Sequence, residues 1–265
     1  MLINYFIFWI FSTWIQTNQE QIELMETIPF TGNFFEIDQL GNFYLINSNT
    51  LVQYSPNLVK KQQYTNNFSG KVTHIDVNDP LRILLFYKDF NQVVFLDRAL
   101  SLLGSPVDLD QLGFTNVALV CSSNSGGFWL FNNDTGQLVY LNKDLQVIYQ
   151  SPDIRLLADG EISPSHMIER NQKVYLNLSH KGIFIFNQYG GFEVKLPVFS
   201  DYEIGVTGST LQFIKEGSVN LYQLKTHQQN IIPLPKHLEI KDLEIYQNKI
   251  FIFSDNKLFI YKIIN

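Results

Sequence analysis

The stretch from Asn116 to Ser151, NVALVCSSNSGGFWLFNNDTGQLVYLNKDLQVIYQS, reads as four short strands. Its apolar runs Val117–Cys121, Phe128–Phe131, Leu138–Leu141 and Leu145–Tyr149 are divided by Ser-Asn-Ser-Gly-Gly, Asn-Asn-Asp-Thr-Gly and Asn-Lys-Asp. Those dividers are turn clusters of hairpin length, so the unit is an antiparallel meander. Leu138, Val139, Tyr140 and Leu141 are consecutive and apolar, which requires cover on both faces of the third strand. The unit therefore expects a similar sheet on each side.

Copies of the unit run through the chain. With the third strand as anchor, they begin at Leu51, Val93, Leu138, Ile183, Val219 and Leu258, at intervals of 42, 45, 45, 36 and 39 residues. That period suits a four-stranded propeller blade with its loops. Three residues after each anchor stands a large apolar side chain: Tyr54, Leu96, Leu141, Phe186, Tyr222 or Tyr261. In the first four copies Ser, Asp or Asn then opens a turn. Second strands lie upstream as FYLI, ILLFY, FWLF, VYLNL, LQFI and IFIF, rich in the aromatic and β-branched residues that fit a pleated surface. No stretch shows helical spacing over three turns. The last unit has only three strands, Ile240–Tyr246, Lys249–Phe253 and Leu258–Lys262. The isolated strand-like piece Ile22–Pro29 is expected to supply the fourth and close the ring. The fold expected is all-β: a six-bladed propeller of four-stranded antiparallel blades, closed by an N-terminal strand. The polar Lys60–Tyr64 and Gln228–Ile232 read as outer strands.

At 265 residues and 45% hydrophobic content the chain can bury a large core, and residues 20–265 read as a single domain. The net charge of −6 argues against a nucleic-acid partner, which calls for clustered Lys and Arg. Residues 1–19 read as an export signal or N-terminal anchor. Tyr5–Ile15, YFIFWIFSTWI, is too short for a comfortable membrane span, which needs about 20 residues, and suits a signal core. The expected location is periplasmic. Cys121, the single cysteine, lies in an apolar strand and reads as a buried hydrophobe.

Motifs of chemistry are few. His74, His166, His180, His227 and His237 lie scattered without metal-ligand spacing, and no cofactor or metal is assigned. His74 and His166 fall on innermost strands and could meet at the channel with Asp76 or Glu169 to bind a metal, although a buried or channel His is more often simply hydrogen-bonded. Asn132–Gly136 has calcium-ligand residue types but reads as a turn. The boxes of sialidase-type propellers, WD and Kelch signatures, a nucleophile elbow and a phosphate loop are all absent. These absences disfavour an enzyme, although a propeller can assemble a site from several blades.

Asp76–Asp97, DVNDPLRILLFYKDFNQVVFLD, carries two corners, Asn78-Asp79-Pro80 and Lys88-Asp89-Phe90-Asn91. With QLGNFYLI (Gln39–Ile46) and FNQYGGF (Phe186–Phe192), it resembles a family of exported β-propeller proteins of Bacteroidota. The resemblance implies a relation to the periplasmic plug of the type IX secretion translocon. In this topology the loops between second and third strands share one face with the connectors between blades, of which PDIRLLADGEISP is the longest. Candidate partner-binding residues on that face are Asp89, Phe90, Asn91, Asp134 and Arg155, with Phe90 as an aromatic anchor. Trp129 reads as core. The function expected is a monomeric, non-enzymatic module docking on a protein, an outer-membrane secretion component. The alternative is a hydrolase, lyase or small-ligand sensor with its site in the channel.

Overall fold

The computed structural model describes residues 21–264. The apolar run Tyr5–Ile15, read above as a signal or anchor, lies outside them. Six antiparallel sheets of four strands form the blades of a β-propeller. Five run in simple meander order over residues 34–65, 74–108, 117–150, 164–196 and 205–233. The sixth combines Asp242–Tyr246, Lys249–Ser254 and Lys257–Ile264 with the N-terminal strand Gln21–Pro29. The closing ladder runs from Gln21 opposite Ile264 to Pro29 opposite Lys257, with Met25 bulged out between Leu24 and Glu26. The expected ring closure is thus present.

Strand alternation explains why the blades need neighbours. In the third blade Trp129, Phe131, Leu138 and Tyr140 pack toward the fourth blade, while Phe128, Leu130, Val139 and Leu141 pack toward the second. Side chains of period two on a doubly covered strand divide in this way. Six apolar clusters result, one in each seam between adjacent blades. Fully burying each large side chain in them stabilises the fold by roughly 1.5–3 kcal/mol. Cys121 and Trp129 are inaccessible within this core.

The polar residue after the third strand works as a turn cap. Ser55, Asp97, Asn142 and Asn187 each accept, through a side-chain oxygen, the backbone N–H four residues on, at 3.1, 2.8, 2.9 and 3.0 Å. Each turn also needs one left-handed residue, filled by Leu58, Leu100, Leu145 or Gly190. Asx-type capping of this kind tolerates the strained position and fixes the hairpin length. The long connector 152–164 holds one helical turn, Ile154–Leu157, capped by Asp153. The second blade departs most from the pattern, since its outer strand shrinks to Val107–Asp108 and a lone bridge joins Leu96 to Leu102.

Candidate functional site in the central channel

The innermost strands line the channel, and alternation decides which side chains enter it. Glu36, His74 and Asp76, His166 with Ile168 and Arg170, and Glu244 share the channel register of four blades. Glu203 joins them from the connector before the fifth blade's first strand, Gly205–Thr207. Together they bound a cavity of about 450 Å³. Its rim is built from first-to-second-strand hairpins, through Gln39, Asn78, Gly208 and Gln247. The mouth therefore opens on the face opposite the loops that the sequence reading favoured. Glu203 stands at the far end, where it also borders a smaller cavity with Asp201, Tyr202, Lys241 and Asp242.

The floor concentrates titratable groups. One ligand-type atom each of His74, His166 and Glu203 lies within 4.8 Å of the others, and the same holds for Glu36, Glu203 and Glu244. His166 is buried; its Nδ1 accepts the N–H of Ile204 at 3.1 Å and its Nε2 stands 3.3 Å from a Glu203 oxygen. A neutral ring that accepts at Nδ1 carries its proton on Nε2, so His166 donates to Glu203. The Nε2 of His74 is buried without a hydrogen-bond partner, and its ring centroid lies 5.8 Å from that of His166.

Three carboxyls at this spacing cannot all ionise at little cost. Two unit charges about 4–5 Å apart repel by roughly 3–4 kcal/mol at an effective dielectric near 20. Burial, then the charges of Glu244 and Glu203, push Glu36 well above the usual carboxylate range. Burial and the charges of Glu203 and Asp242 do the same to Glu244. Asp242 is pushed up to about 7 by burial and by Glu203. Burial opposes ionisation of Glu203 too, but His166 and a hydrogen bond from Glu36 outweigh it and hold that carboxyl below its ordinary value. Burial pushes His74 down against the opposing pull of the Glu203 charge. Glu203 is thus the anionic centre of the floor.

His74 and His166 converge, as their strand positions suggest, but their carboxylate partner is Glu203. Asp76 lines the cavity with its oxygens committed to the N–H groups of Asn78 and Ser122, at 2.8 and 2.9 Å. Glu169, three residues from His166, lies on the other face of the strand and accepts from Trp129 Nε1 at 2.7 Å. The proposed partner-binding residues lie on the opposite face of the disk. Asp89 is exposed in the turn Lys88–Phe90, and Phe90 is 51% exposed with its ring edge against Gly70. Asn91 is buried in the left-handed conformation and donates to Asp110 and to the Phe114 carbonyl. Asp134 accepts from Asn116 at 2.9 Å, and Arg155 pairs with Asp153 at 2.8 Å while donating to the Thr135 carbonyl.

Glu36, Glu203 and Glu244 did not stand out in the sequence. A usable signal existed for two of them: FFEI and DLEIY each place a carboxylate within an apolar innermost strand, where the alternating partner is core. Glu203 sits in a connector, and no local pattern marks it.

Comparison with solved structures finds the same architecture at low sequence identity. The virginiamycin B lyase from Staphylococcus aureus, in a structure with Quinupristin, is 12% identical, with 89% of this chain and 83% of that one covered and a TM-score of 0.61. BamB from Moraxella catarrhalis is 9% identical over 91% and 99% of the two chains, with a TM-score of 0.58. A luciferin-regenerating enzyme is 11% identical over 93% and 95%, also at 0.58. At these identities the likeness shows the fold alone. No protein-family model matches the sequence, and a search of curated proteins finds no match.

Proposed function

We propose that this protein is a binding propeller that takes a small, positively charged ligand in the funnel of its central channel. The observation that carries the reading is the convergence of His74, His166, Glu36 and Glu244 from four blades, and of Glu203 from a connector, on the floor of one open cavity. A concave site with a few convergent polar groups of displaced pKa is where a small ligand is received. The lining carries more carboxylates than cations, with Arg170 the one Lys or Arg among its residues. An anion would meet repulsion there, and a cation would relieve the crowding. The test is equilibrium binding of metal cations and organic amines to the full chain by calorimetry. Saturable binding lost in Glu203→Gln is expected; wild-type protein that binds no cationic ligand sinks the reading.

A second reading, docking on an outer-membrane secretion component from the periplasm, is favoured by a different observation. Phe68, 90% exposed, and Phe90 stand on the same face, where Ser69 donates to Gln92 at 2.8 Å and ties their loops together. Paired exposed aromatics suit an anchor into a partner. Affinity purification from the native envelope checks this. A stoichiometric outer-membrane partner that is lost from Phe68→Ala/Phe90→Ala supports docking. A protein recovered soluble and alone removes it.

A further inference from the structure

The channel floor allows the cation to be named by class, an inference that rests on the channel-site reading above. We propose that it binds one divalent transition-metal cation, with Glu203 as central ligand, His74 as nitrogen ligand and the Glu36–Glu244 pair as facing carboxylates.

The assignment follows from which donor atoms remain free. Asp76 lies outside both clusters of ligand-type atoms, and each of its oxygens already accepts an N–H, from Asn78 and from Ser122. Asp242 also lies outside them and accepts from Phe35 and Leu243 at 2.8 and 2.9 Å. His166 has its Nδ1 lone pair occupied by the Ile204 N–H and its proton directed at Glu203. It therefore orients the Glu203 carboxylate as a positioning residue, in the manner of an outer-shell partner. His74 differs, because its Nε2 is buried and no hydrogen bond satisfies it. A buried polar atom without a partner is rare and calls for an explanation. A cation supplies one.

Glu203 belongs to both clusters on the floor, His74–His166–Glu203 and Glu36–Glu203–Glu244, so a cation held directly by Glu203 and His74 is faced by Glu36 and Glu244 from the other side of Glu203, as outer-shell partners reached through its bound water. A divalent ion offsets the charge of Glu203 and that of a neighbouring carboxyl that gives up its proton on binding, whereas an organic amine of single charge offsets only one. The nitrogen donor decides the metal class. Imidazole with carboxylate suits manganese or zinc, whereas magnesium and calcium prefer oxygen alone. The cavity above leaves room for water or a further ligand on the ion. None of the four side chains is adjacent in sequence to another, and they come from the first, second, fifth and sixth parts of the ring.

The experiment is calorimetric titration of chelator-treated full-length protein with Mn²⁺, Zn²⁺, Mg²⁺ and Ca²⁺ separately, with Mn²⁺ occupancy confirmed by electron paramagnetic resonance. One Mn²⁺ or Zn²⁺ per chain is expected, bound about tenfold or more tightly than Mg²⁺ or Ca²⁺. Glu203→Gln, near-isosteric, is expected to weaken binding by about tenfold or more, at unchanged circular dichroism. His74→Gln is expected to abolish the preference for Mn²⁺ and Zn²⁺. Should Glu203→Gln fail to fold, Glu36→Gln takes its place with the same expectation. The inference is overturned if no metal saturates, if Mg²⁺ or Ca²⁺ binds as tightly, or if folded variants bind as wild type does. Organic amines binding where metals do not would overturn the metal while leaving the channel-site function. Binding of neither would remove both.

Discussion

Trp129 in the third blade donates its indole N–H to Glu169 in the fourth at 2.7 Å, joining two blades beside the apolar cluster that fills their seam. The carboxylate also accepts the Asn124 N–H at 3.2 Å. A hydrogen bond to a buried charged group contributes about 1.5–3 kcal/mol, and its loss leaves the carboxylate short of a donor. Trp129→Phe is therefore expected to cost about 2–4 kcal/mol, the smaller ring adding a void. Glu169→Gln, which keeps an acceptor, is expected to cost less. Urea denaturation of both variants checks this. A loss under about 0.5 kcal/mol for Trp129→Phe would show that the bond carries no stability.

Ring closure rests on one antiparallel ladder, in which Gln21 stands opposite Ile264. Without the strand Gln21–Pro29, the edge Lys257–Ile264 would be open to pairing with other chains. A chain starting at Phe30 is expected to unfold at lower urea and to scatter light in a concentration-dependent way. A circular permutant joining Ile264 to Gln21 by a short loop, opened at the exposed Asp159–Gly160 turn, is expected to keep wild-type stability. A truncated chain as stable and monomeric as the intact one would contradict the role given to this strand.

Much of this architecture could be read from the sequence because the blade pattern is local and repeated. In residues 117–150 the hydrophobic runs and turn clusters marked four strands to within about two residues, and the missing strand of the last unit pointed to Ile22–Pro29. The site was less legible. His74 and His166 could be placed on innermost strands, but which carboxylate they meet depends on strand parity and on a connector. Glu169 fails by parity, since an odd offset from His166 turns it to the other face. Glu203 succeeds from a connector that no periodicity describes. The one-turn helix Ile154–Leu157 was too short to leave a periodic signal.

Cys121 offers a pH test away from the channel. Its thiol is inaccessible, and burial, reinforced by the charges of Asp76 and Glu169, pushes its pKa well above the ordinary value. The folded thiol therefore keeps its proton at a pH where an unfolded one, with pKa about 8.5, loses it. The unfolded chain then binds fewer protons, so this residue lowers stability as pH rises past that value. Iodoacetamide labelling of the native protein is expected to stay negligible and flat between pH 8 and 9.5. In urea the labelling should climb with pH as thiolate forms. Native labelling that follows the unfolded profile would refute the buried placement.

The tautomer of His166 is the remaining expectation, and it tests the geometry of the floor without any ligand. Because Ile204 N–H points at Nδ1 and Glu203 accepts from Nε2, the neutral ring has one arrangement open to it. Long-range proton–nitrogen spectra of the chelator-treated protein are expected to show His166 as the Nε2–H tautomer. His166→Asn, whose side-chain oxygen can still accept from Ile204, is expected to cost less stability than His166→Ala, which strands that N–H at about 1–3 kcal/mol. An Nδ1–H tautomer would mean that Ile204 does not donate there. His166 would then be free to ligate through Nε2, and its role on the floor would change from orienting Glu203 to sharing a ligand with it.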